Sequence, residues 1–373
     1  MEIENNRLYF GSMLGFYKSF FHGFTMILFS IYYTKIGISL LPYALLFVIG
    51  DGLSFFLKPI VGVLSDRVGE KYLLLIALIL SSVSTFLISF TKNILFLALL
   101  GVLVAVSLAT FLTVIIIFSL RPVTQKPEKK ASIFGGITGL GWVFGLLLPG
   151  VFVDILGLKE TFYILFIIGI LISCLYIFFM NGFKFELREK SYPSLQTLIK
   201  VLDPLIYKTF DLAVFSAFLI FFVRFAIGEL GMSGSIVSLI VAFESLVFGI
   251  SEILIGRFVK VETKRFWIKL GALIHILGIA LLLISNNIIF FFVASGLIGL
   301  AGAFIDIWCY SFLCEVIDFS KRGVIFSTFS LSQDLSTIIG SSLPAVASFL
   351  AINPFASMIV FPAIILAYSI KRR

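Results

Sequence analysis

The stretch that decides the fold is Ile94–Leu120, which reads ILFLALLGVLVAVSLATFLTVIIIFSL and contains no charged residue. An α-helix needs about 20 apolar residues to cross the roughly 30 Å hydrocarbon core of a bilayer, and this run is longer. Similar runs recur along the chain: 60% of its 373 residues are hydrophobic, 13% are charged and the mean hydropathy is +1.15. A soluble globular protein is about half apolar and about a quarter charged. The composition excludes that class and predicts an all-α membrane protein.

Breaks in the apolar pattern divide the chain into twelve predicted transmembrane helices. They cover residues 8–33, 40–63, 72–90, 94–120, 131–153, 161–180, 210–230, 235–255, 266–284, 288–313, 324–350 and 355–370. Residues 1–180 form a predicted N-terminal six-helix bundle, 181–209 a cytoplasmic linker and 210–373 a C-terminal six-helix bundle. The linker is either a short interfacial helix, because Leu195, Leu198 and Leu202 have near-helical spacing, or a solvated connection.

The distribution of positive charge predicts the orientation of the chain. Most of its 28 Lys and Arg residues fall in loops and ends on one side of the predicted membrane, and the other side carries only Lys35, Lys92 and Lys159. Cytoplasmic loops retain such residues, so we expect both termini in the cytoplasm. The formal net charge of +8 is therefore a topology signal, and we expect no nucleic-acid partner.

The sequence offers little support for an enzyme or a metalloprotein. Its three cysteines, Cys174, Cys309 and Cys314, lie inside apolar segments without zinc-ligand spacing. Ser233 stands in a short GxSG match, but it falls in a predicted outer loop, whereas His275 lies in the ninth predicted helix towards the cytoplasmic side. We therefore predict no catalytic residues, no metal and no cofactor.

The two halves carry traces of an internal duplication. A shift of 194 residues places Gly62 on Gly256 and Lys71 on Arg265, both in the loop after the second helix of each half. The same shift aligns small residues of the fourth and tenth helices: Gly101 with Ser295, Ala105 with Gly299 and Ala109 with Ala303. Small residues at every fourth position let helix backbones approach closely. Two parallel repeats predict two pseudo-symmetric bundles.

The first of these loops carries a family signature. It reads Gly62-Val-Leu-Ser-Asp66-Arg67-Val-Gly69-Glu70-Lys71, which resembles the G-x-x-x-D-[RK]-x-G-[RK]-[RK] motif of the major facilitator superfamily, with Glu70 as the departure. The resemblance implies that fold and a gating role for Gly62, Asp66, Arg67, Gly69 and Lys71. Asp66 would sit at the start of the eleventh helix near Gly323, whose positive end favours an acid. Arg67 and Lys71 would contact neighbouring loops, or would only fix topology.

Glycines of the fifth predicted helix have two interpretations. Gly135/Gly139 and Gly141/Gly145 form GxxxG pairs, and Pro149 follows. The run loosely resembles the antiporter signature of the family, but Leu146 stands where that signature has proline. We predict that these glycines serve helix packing.

Ionisable side chains inside the predicted helices are the main functional signal. Each costs roughly 2.5 to 3.5 kcal/mol at the centre of a membrane helix, so such residues are retained where they face protein or water. The resemblance places most of them on helices that line or flank a central cavity. The candidate substrate and coupling residues are Lys18, His22, Asp51, Arg224, Glu244, Asp306 and Asp334.

Alternatives remain open for the basic members. Lys18 and His22 lie four residues apart on one helix face. We expect Lys18 to bind an anionic cargo group or to pair with a buried acid such as Asp51, and His22 either to carry a proton or only to pack. Lys58 is close enough to a helix end to reach the interface, and Arg224 either lines the cavity or also reaches the interface.

The acidic members suggest coupling to protons. Glu244 and Asp306 are expected in mid-membrane, and Glu252 is expected to pair with basic residues near the helix end. Asp334 belongs to a polar stripe that is either a hydrogen-bonded seam or a cargo-facing wall. The stripe comprises Ser327, Ser330, Asp334, Thr337 and Ser341.

The sequence thus predicts a secondary active transporter of a small organic solute that works by rocking of two halves and is coupled to protons. We expect it in the cytoplasmic membrane as a monomer surrounded by lipid. The alternatives are an uncoupled facilitator and a non-transporting sensor or assembly protein of the same fold.

Overall fold

The structure is a computed structural model that describes residues 2–120, 127–180, 201–255, 264–284, 286–316 and 322–371. All regular secondary structure in these ranges is helical, as predicted. The helices are α1 (Glu2–Lys35), α2 (Leu40–Val68), α3 (Glu70–Ile88), α4 (Ile94–Leu120), α5 (Pro127–Leu156), α6 (Leu158–Met180), α7 (Leu202–Gly228), α8 (Gly234–Ile255), α9 (Lys264–Ile284), α10 (Ile288–Val316), α11 (Arg322–Phe349) and α12 (Val360–Lys371). A π-turn, Phe218–Phe222, lies inside α7, and a one-turn helix, Pro354–Ser357, precedes α12.

Nine helices within the described ranges are long and apolar enough to cross a membrane. The other three are α1, α11 and α12. Polar side chains lower the hydropathy of α1 and α11, and α12 has only 12 residues. The structure therefore supports nine of the twelve predicted spans by length and composition.

The seventh helix begins earlier than the sequence predicted. The prediction started it at Phe210, whereas α7 begins at Leu202. Asp203 and Pro204 explain the earlier start, because an acid and a proline are both favoured in the first turn of a helix. The consequence is that Lys208, which the charge pattern assigned to a cytoplasmic loop, lies inside a helix.

The chain divides into two compact units. The first unit comprises Met1–Tyr32 and Ile49–Lys190, and the second comprises Tyr33–Val48 and Ser191–Arg373. In the first unit α3 packs against α4 and α6, and α5 packs against α6. In the second unit α10 packs against α7, α8 and α9, and α7 also packs against α11 and α12.

Small residues bring helices together in equivalent ways within each unit. Gly50 of α2 packs against Ala105 of α4, and a shift of 194 residues converts this pair into Glu244 and Gly299, which meet between α8 and α10. This shared register supports the predicted duplication. Gly145 of α5 lies against the backbone of α1, just as Gly340 of α11 lies against the backbone of α7.

The glycine-packing prediction holds for only part of α5. Gly141 and Gly145 lie against the carbonyl groups of Phe16 and Phe20 on α1. Gly135, Gly136 and Gly139 have open space where a side chain would stand. Close approach therefore requires glycine at two of the five positions.

The gating motif forms a one-residue joint between α2 and α3. Gly69 has φ of +92°, a conformation that residues with a side chain rarely adopt, so glycine is required there. The carbonyl group of Lys71 accepts a hydrogen bond of 2.9 Å from the Tyr176 hydroxyl of α6. The backbone at Gly62, Asp66 and Arg67 belongs to α2, but what surrounds these residues lies outside what the structure describes. Their gating role therefore remains a prediction.

Candidate functional site

The first unit contains a cluster of basic side chains, which we call the basic cluster: Lys18 and His22 on α1 and Lys58 on α2. The Lys18 Nζ atom lies 3.4 Å from His22 Nδ1. Lys58 is close enough to act electrostatically on His22. The exposed fractions of Lys18 and Lys58 are 5% and 6%, so both ammonium groups are deep in the protein.

Local structure fixes the geometry of this cluster. One helical turn separates Lys18 from His22. The close contact of α1 with α5 places the centre of the Trp142 ring 5.2 Å from the centre of the His22 ring, with the rings edge to face. The Thr25 hydroxyl donates to the backbone carbonyls of Phe21 and His22, so its hydrogen is not directed at the basic side chains. Two buried ammonium groups beside an imidazole and an indole ring can bind an anionic group and stack a planar one.

The burial of Lys58 corrects one prediction. The sequence placed its ammonium group at the membrane interface, because the residue lies near the end of the predicted span. The structure instead buries it, within electrostatic reach of His22. Asp51, which we proposed as a partner of Lys18, is half-buried on α2, the helix that also carries Lys58.

The second unit contains a larger set of charged groups, which we call the acid–base network. Its members come from α7, α8, α9 and α10, and they are Lys208, Asp211, Glu244, Glu252, His275 and Asp306. Lys208 Nζ lies 2.5 Å from Asp306 Oδ1, and both side chains are buried. The Lys208 ammonium also lies 5.6 Å from the centre of the Phe248 ring, a cation–π distance.

Two further contacts extend the network. His275 Nε2 lies 2.8 Å from Asp211 Oδ1 in a site that is almost fully buried. Glu252 lies within electrostatic reach of Lys208 and Asp306.

Glu244 occupies the edge of the network. Its carboxylate accepts a 2.8 Å hydrogen bond from the Ser245 hydroxyl. It also lies within electrostatic reach of Asp211 and Lys208. The structure thus brings together Glu244 and Asp306, two of the residues singled out from the sequence. Glu252, predicted to pair with basic residues near the helix end, lies within electrostatic reach of Lys208 and of the acid Asp306.

Arg224 lies apart from the network and has a different setting. Its Nη1 donates a 2.5 Å hydrogen bond to the carbonyl group of Ile38, in the turn between α1 and α2. Its guanidinium group also lies 5.3 Å from the centre of the Tyr43 ring. The Tyr43 hydroxyl in turn donates a 2.7 Å bond to the carbonyl group of Ile220, inside the π-turn. These contacts fasten the α1–α2 turn to α7.

The polar stripe on α11 is a hydrogen-bonded seam over at least part of its length. Thr337 lies 3.5 Å from the Ser216 hydroxyl of α7, oxygen to oxygen. Asp334 is buried on the same helix. The side chains of Ser327 and Ser330 lie outside what the structure describes.

Sequence reasoning missed three members of the acid–base network. Lys208 and Asp211 fall at or beside the predicted linker, and His275 is the one ionisable group in the interior of the ninth predicted helix. Lys208 and Asp211 are three residues apart, which puts them on one face of a helix. A helix start at Asp203–Pro204 would have revealed that pair.

Comparisons with known proteins agree with this architecture. A family model described as Major Facilitator Superfamily matches residues 8–227. The structure is similar to that of a bacterial homolog of the human lysosomal transporter Spinster, in an inward-facing and occupied conformation, with 15% identity and a TM-score of 0.77 over 98% of this chain and 95% of that one. It is also similar to the nucleoside transporter NupG, with 12% identity and a TM-score of 0.76 over 98% of each chain.

At these identities the two structures establish a shared fold. A search of curated proteins finds no match. The family model covers more than half of the chain, and this family match confirms the prediction that the chain is not an enzyme. By its sequence signature, its helical fold and this match, the chain belongs to the major facilitator superfamily.

Proposed function

We propose that the chain is a secondary transporter that moves a small organic solute across the cytoplasmic membrane by alternating access, coupled to protons. The observation that carries this proposal is the burial of ionisable groups in mid-helix in both units. A purely structural bundle gains little from such groups, because each is costly in a membrane. A transporter needs them to bind cargo and to exchange protons.

The basic cluster supports an anionic group on the cargo. An ammonium group donates charge-assisted hydrogen bonds to a carboxylate or phosphate, and such bonds are stronger than those between neutral groups. The nearby Trp142 ring favours a cargo with a planar portion. The proposed cargo is therefore a small organic anion.

The same proposal includes the arrangement in the membrane. Twelve helices form two six-helix bundles, both termini face the cytoplasm, the chain acts as a monomer within lipid, and nucleic acid is not a partner. The excess of Lys and Arg on one side supports the orientation. A fluorescent protein that folds only in the cytoplasm, fused after Arg373, tests it: a dark fusion at normal expression would contradict it.

A binding screen followed by transport tests the function. The purified protein is heated with matched pairs of organic acids and their neutral amides, such as benzoate with benzamide and indole-3-acetate with its amide. A ligand that binds only the folded state raises the unfolding temperature. We expect acids to stabilise the protein, amides to have no effect, and Lys18→Ala to weaken binding at least about tenfold, since truncating a buried charge partner costs about 2 kcal/mol or more. Lys35→Ala, at an exposed lysine, is the matched control.

The best acid is then followed into proteoliposomes. We expect uptake or release to depend on an imposed pH gradient and to stop depending on it when a protonophore collapses the gradient. Flux that ignores the gradient would support the uncoupled facilitator. Binding without flux in either direction would support a sensor or assembly protein and would overturn the transport proposal.

A further inference from the structure

We propose that His22 is a neutral hydrogen-bond donor of the cargo site, which holds an oxygen acceptor of the cargo through its Nε2–H group while Lys18 binds the anionic group. The proposal rests on the proposed function and deepens it. It narrows the cargo from a small organic anion to an acid that also carries a neutral oxygen, as a keto or hydroxy acid does. Both residues belong to α1 and to the first unit.

The first step of the argument is the contact between the two side chains. Lys18 Nζ lies 3.4 Å from His22 Nδ1. An ammonium group has three N–H donors and no acceptor, so Nδ1 must accept in this contact. A neutral imidazole accepts at one nitrogen and donates at the other, and the bond made by one nitrogen decides which of them carries the proton. His22 therefore carries its proton on Nε2.

The second step is the charge around the ring. Within the described residues, the charged groups that act on His22 are Lys18 of α1 and Lys58 of α2, and both are cations. Trp142 of α5, which packs against the ring, is uncharged. Two neighbouring positive charges oppose a third on the imidazole. This setting agrees with the contact to Lys18: His22 is a neutral donor and not a proton carrier.

The third step is the environment of Nε2. It makes no hydrogen bond within the described part of the chain, yet the ring is not enclosed, because His22 is half-buried. The residue lies about 20 Å along α1 from the helix end at Lys35. An N–H donor left unpaired at that depth costs free energy. Water or cargo must therefore meet the Nε2–H group.

The fourth step is the direction of the two donors. Lys18 approaches His22 at Nδ1, whereas Nε2–H points outward from the far side of the ring. Hydrogen bonds weaken steeply when they are misaligned, so a carboxylate held by Lys18 cannot also align with Nε2–H. The group that meets Nε2–H is therefore a second oxygen of the cargo. A neutral imidazole offers no charge to balance a second carboxylate, which favours a neutral oxygen.

Nitrogen NMR of the purified protein, isotopically labelled at histidine, tests the state of the ring without any cargo. The chain has only two histidines, His22 and His275, so subtracting the spectrum of either His22→Gln or His275→Gln assigns the signals. The two neutral tautomers and the imidazolium have distinct nitrogen shifts. We expect His22 as the Nε2–H tautomer at neutral pH, and a mixture of tautomers in Lys18→Met. An imidazolium, or the Nδ1–H tautomer, would overturn the inference.

Calorimetric binding of matched acids tests the second oxygen. The probes are the three ring isomers of acetylbenzoate, each compared with the isopropylbenzoate of the same shape, which lacks the oxygen acceptor. For at least one isomer we expect the ratio of acetyl to isopropyl affinity to be about twofold to tenfold higher in the wild type than in His22→Phe, the range of one neutral hydrogen bond. His22→Gln, whose amide nitrogen can reach the place of Nε2, should keep the preference, whereas the shorter His22→Asn should lose it.

Three outcomes would overturn the inference in different ways. An affinity ratio that is the same in wild type and His22→Phe would refute the role of His22 and leave the proposed anionic cargo intact. Tighter binding of a benzenedicarboxylate than of the matching acetylbenzoate would show that the second group is charged. Failure of every acid to bind would refute the anionic cargo itself, whatever tautomer the NMR spectrum shows. A variant that does not fold lacks a cooperative thermal transition, and the comparison of His22→Gln with His22→Asn then replaces His22→Phe.

Discussion

The predicted and observed environments of Lys208 differ. In the sequence it adds to the positive charge of a predicted cytoplasmic linker, and in the structure it forms a buried ion pair with Asp306. Helix boundaries are the least reliable part of a sequence-based prediction. The predicted start of α7 was wrong by eight residues, and for that reason Lys208 was predicted in the cytoplasmic linker although it is buried in the protein. The identity of a buried ion pair cannot be read from one sequence, because its partner lies on a different helix.

We predict that Lys208 stabilises the second unit through its acidic neighbours. Lys208→Met leaves Asp306 without its cation, and breaking a buried ion pair by removing one partner costs about 3–5 kcal/mol. We therefore expect a clear fall in the thermal unfolding temperature in detergent. The double variant Lys208→Met/Asp306→Asn should recover part of the loss, because it removes both charges.

The exposed lysine Lys35 provides the control for this cycle. Lys35→Met removes the same charge from an exposed position, where substitutions change stability by less than about 0.5 kcal/mol. If Lys208→Met unfolds at the same temperature as Lys35→Met, the ion pair contributes nothing and the prediction is wrong.

At the scale of helices, the contact of α1 with α5 is the clearest case in which the sequence pattern was informative. Glycine pairs predicted close packing, and Gly141 and Gly145 meet the α1 backbone as expected. The pattern could not separate these two from Gly135, Gly136 and Gly139, because spacing alone does not reveal where the partner helix lies. The π-turn in α7 was also beyond sequence reasoning; it accepts a hydrogen bond at the Ile220 carbonyl from Tyr43, which is distant in the chain.

Two alanine substitutions in the same helix test the packing of α5. In Gly145→Ala the added methyl group meets the carbonyl of Phe20, which is backbone and cannot rotate away. We expect a loss of about 1–3 kcal/mol, the usual cost of overpacking. In Gly139→Ala the methyl group meets open space, and the better helix propensity of alanine favours a gain of up to about 1 kcal/mol.

Thermal unfolding of Gly145→Ala and Gly139→Ala tests whether the close contact of α1 with α5 controls stability. Opposite shifts in the unfolding temperature are expected. Equal shifts would mean that the close approach of α1 and α5 does not control stability, and that the glycines of α5 serve another purpose.

At the scale of the whole molecule, charge is distributed unequally between the two units. The first unit contains the basic cluster, and the second contains the acid–base network with its excess of carboxyl groups. Composition predicted the membrane class, and one loop motif predicted the family. Neither could predict this division of charge, because it depends on which helices bury their ionisable residues.

The turn between α1 and α2 is the other feature that concerns the whole molecule. Residues Tyr33–Val48 belong to the second unit, although the helices that they end and begin run into the first. Arg224 holds this turn through the Ile38 carbonyl and the Tyr43 ring. The proposed alternating access requires that such a contact can be released, and on that proposal Arg224 controls how often the turn separates from α7.

Chemical labelling of one cysteine tests this role of Arg224. Thr34 lies beside Gly228 at the end of α7, so a cysteine at position 34 reports separation there once Cys174, Cys309 and Cys314 have been replaced. Arg224→Ala removes a charge-assisted hydrogen bond of about 1.5–3 kcal/mol, which corresponds to at least a tenfold rise in the open population if the contact forms only in the closed state. We expect Thr34→Cys to react correspondingly faster with a membrane-impermeant maleimide. Lys92→Ala removes an exposed charge that is not adjacent to position 34 and should leave the rate unchanged; equal rates in Arg224→Ala and Lys92→Ala would show that Arg224 only anchors the turn and does not set the balance between open and closed forms.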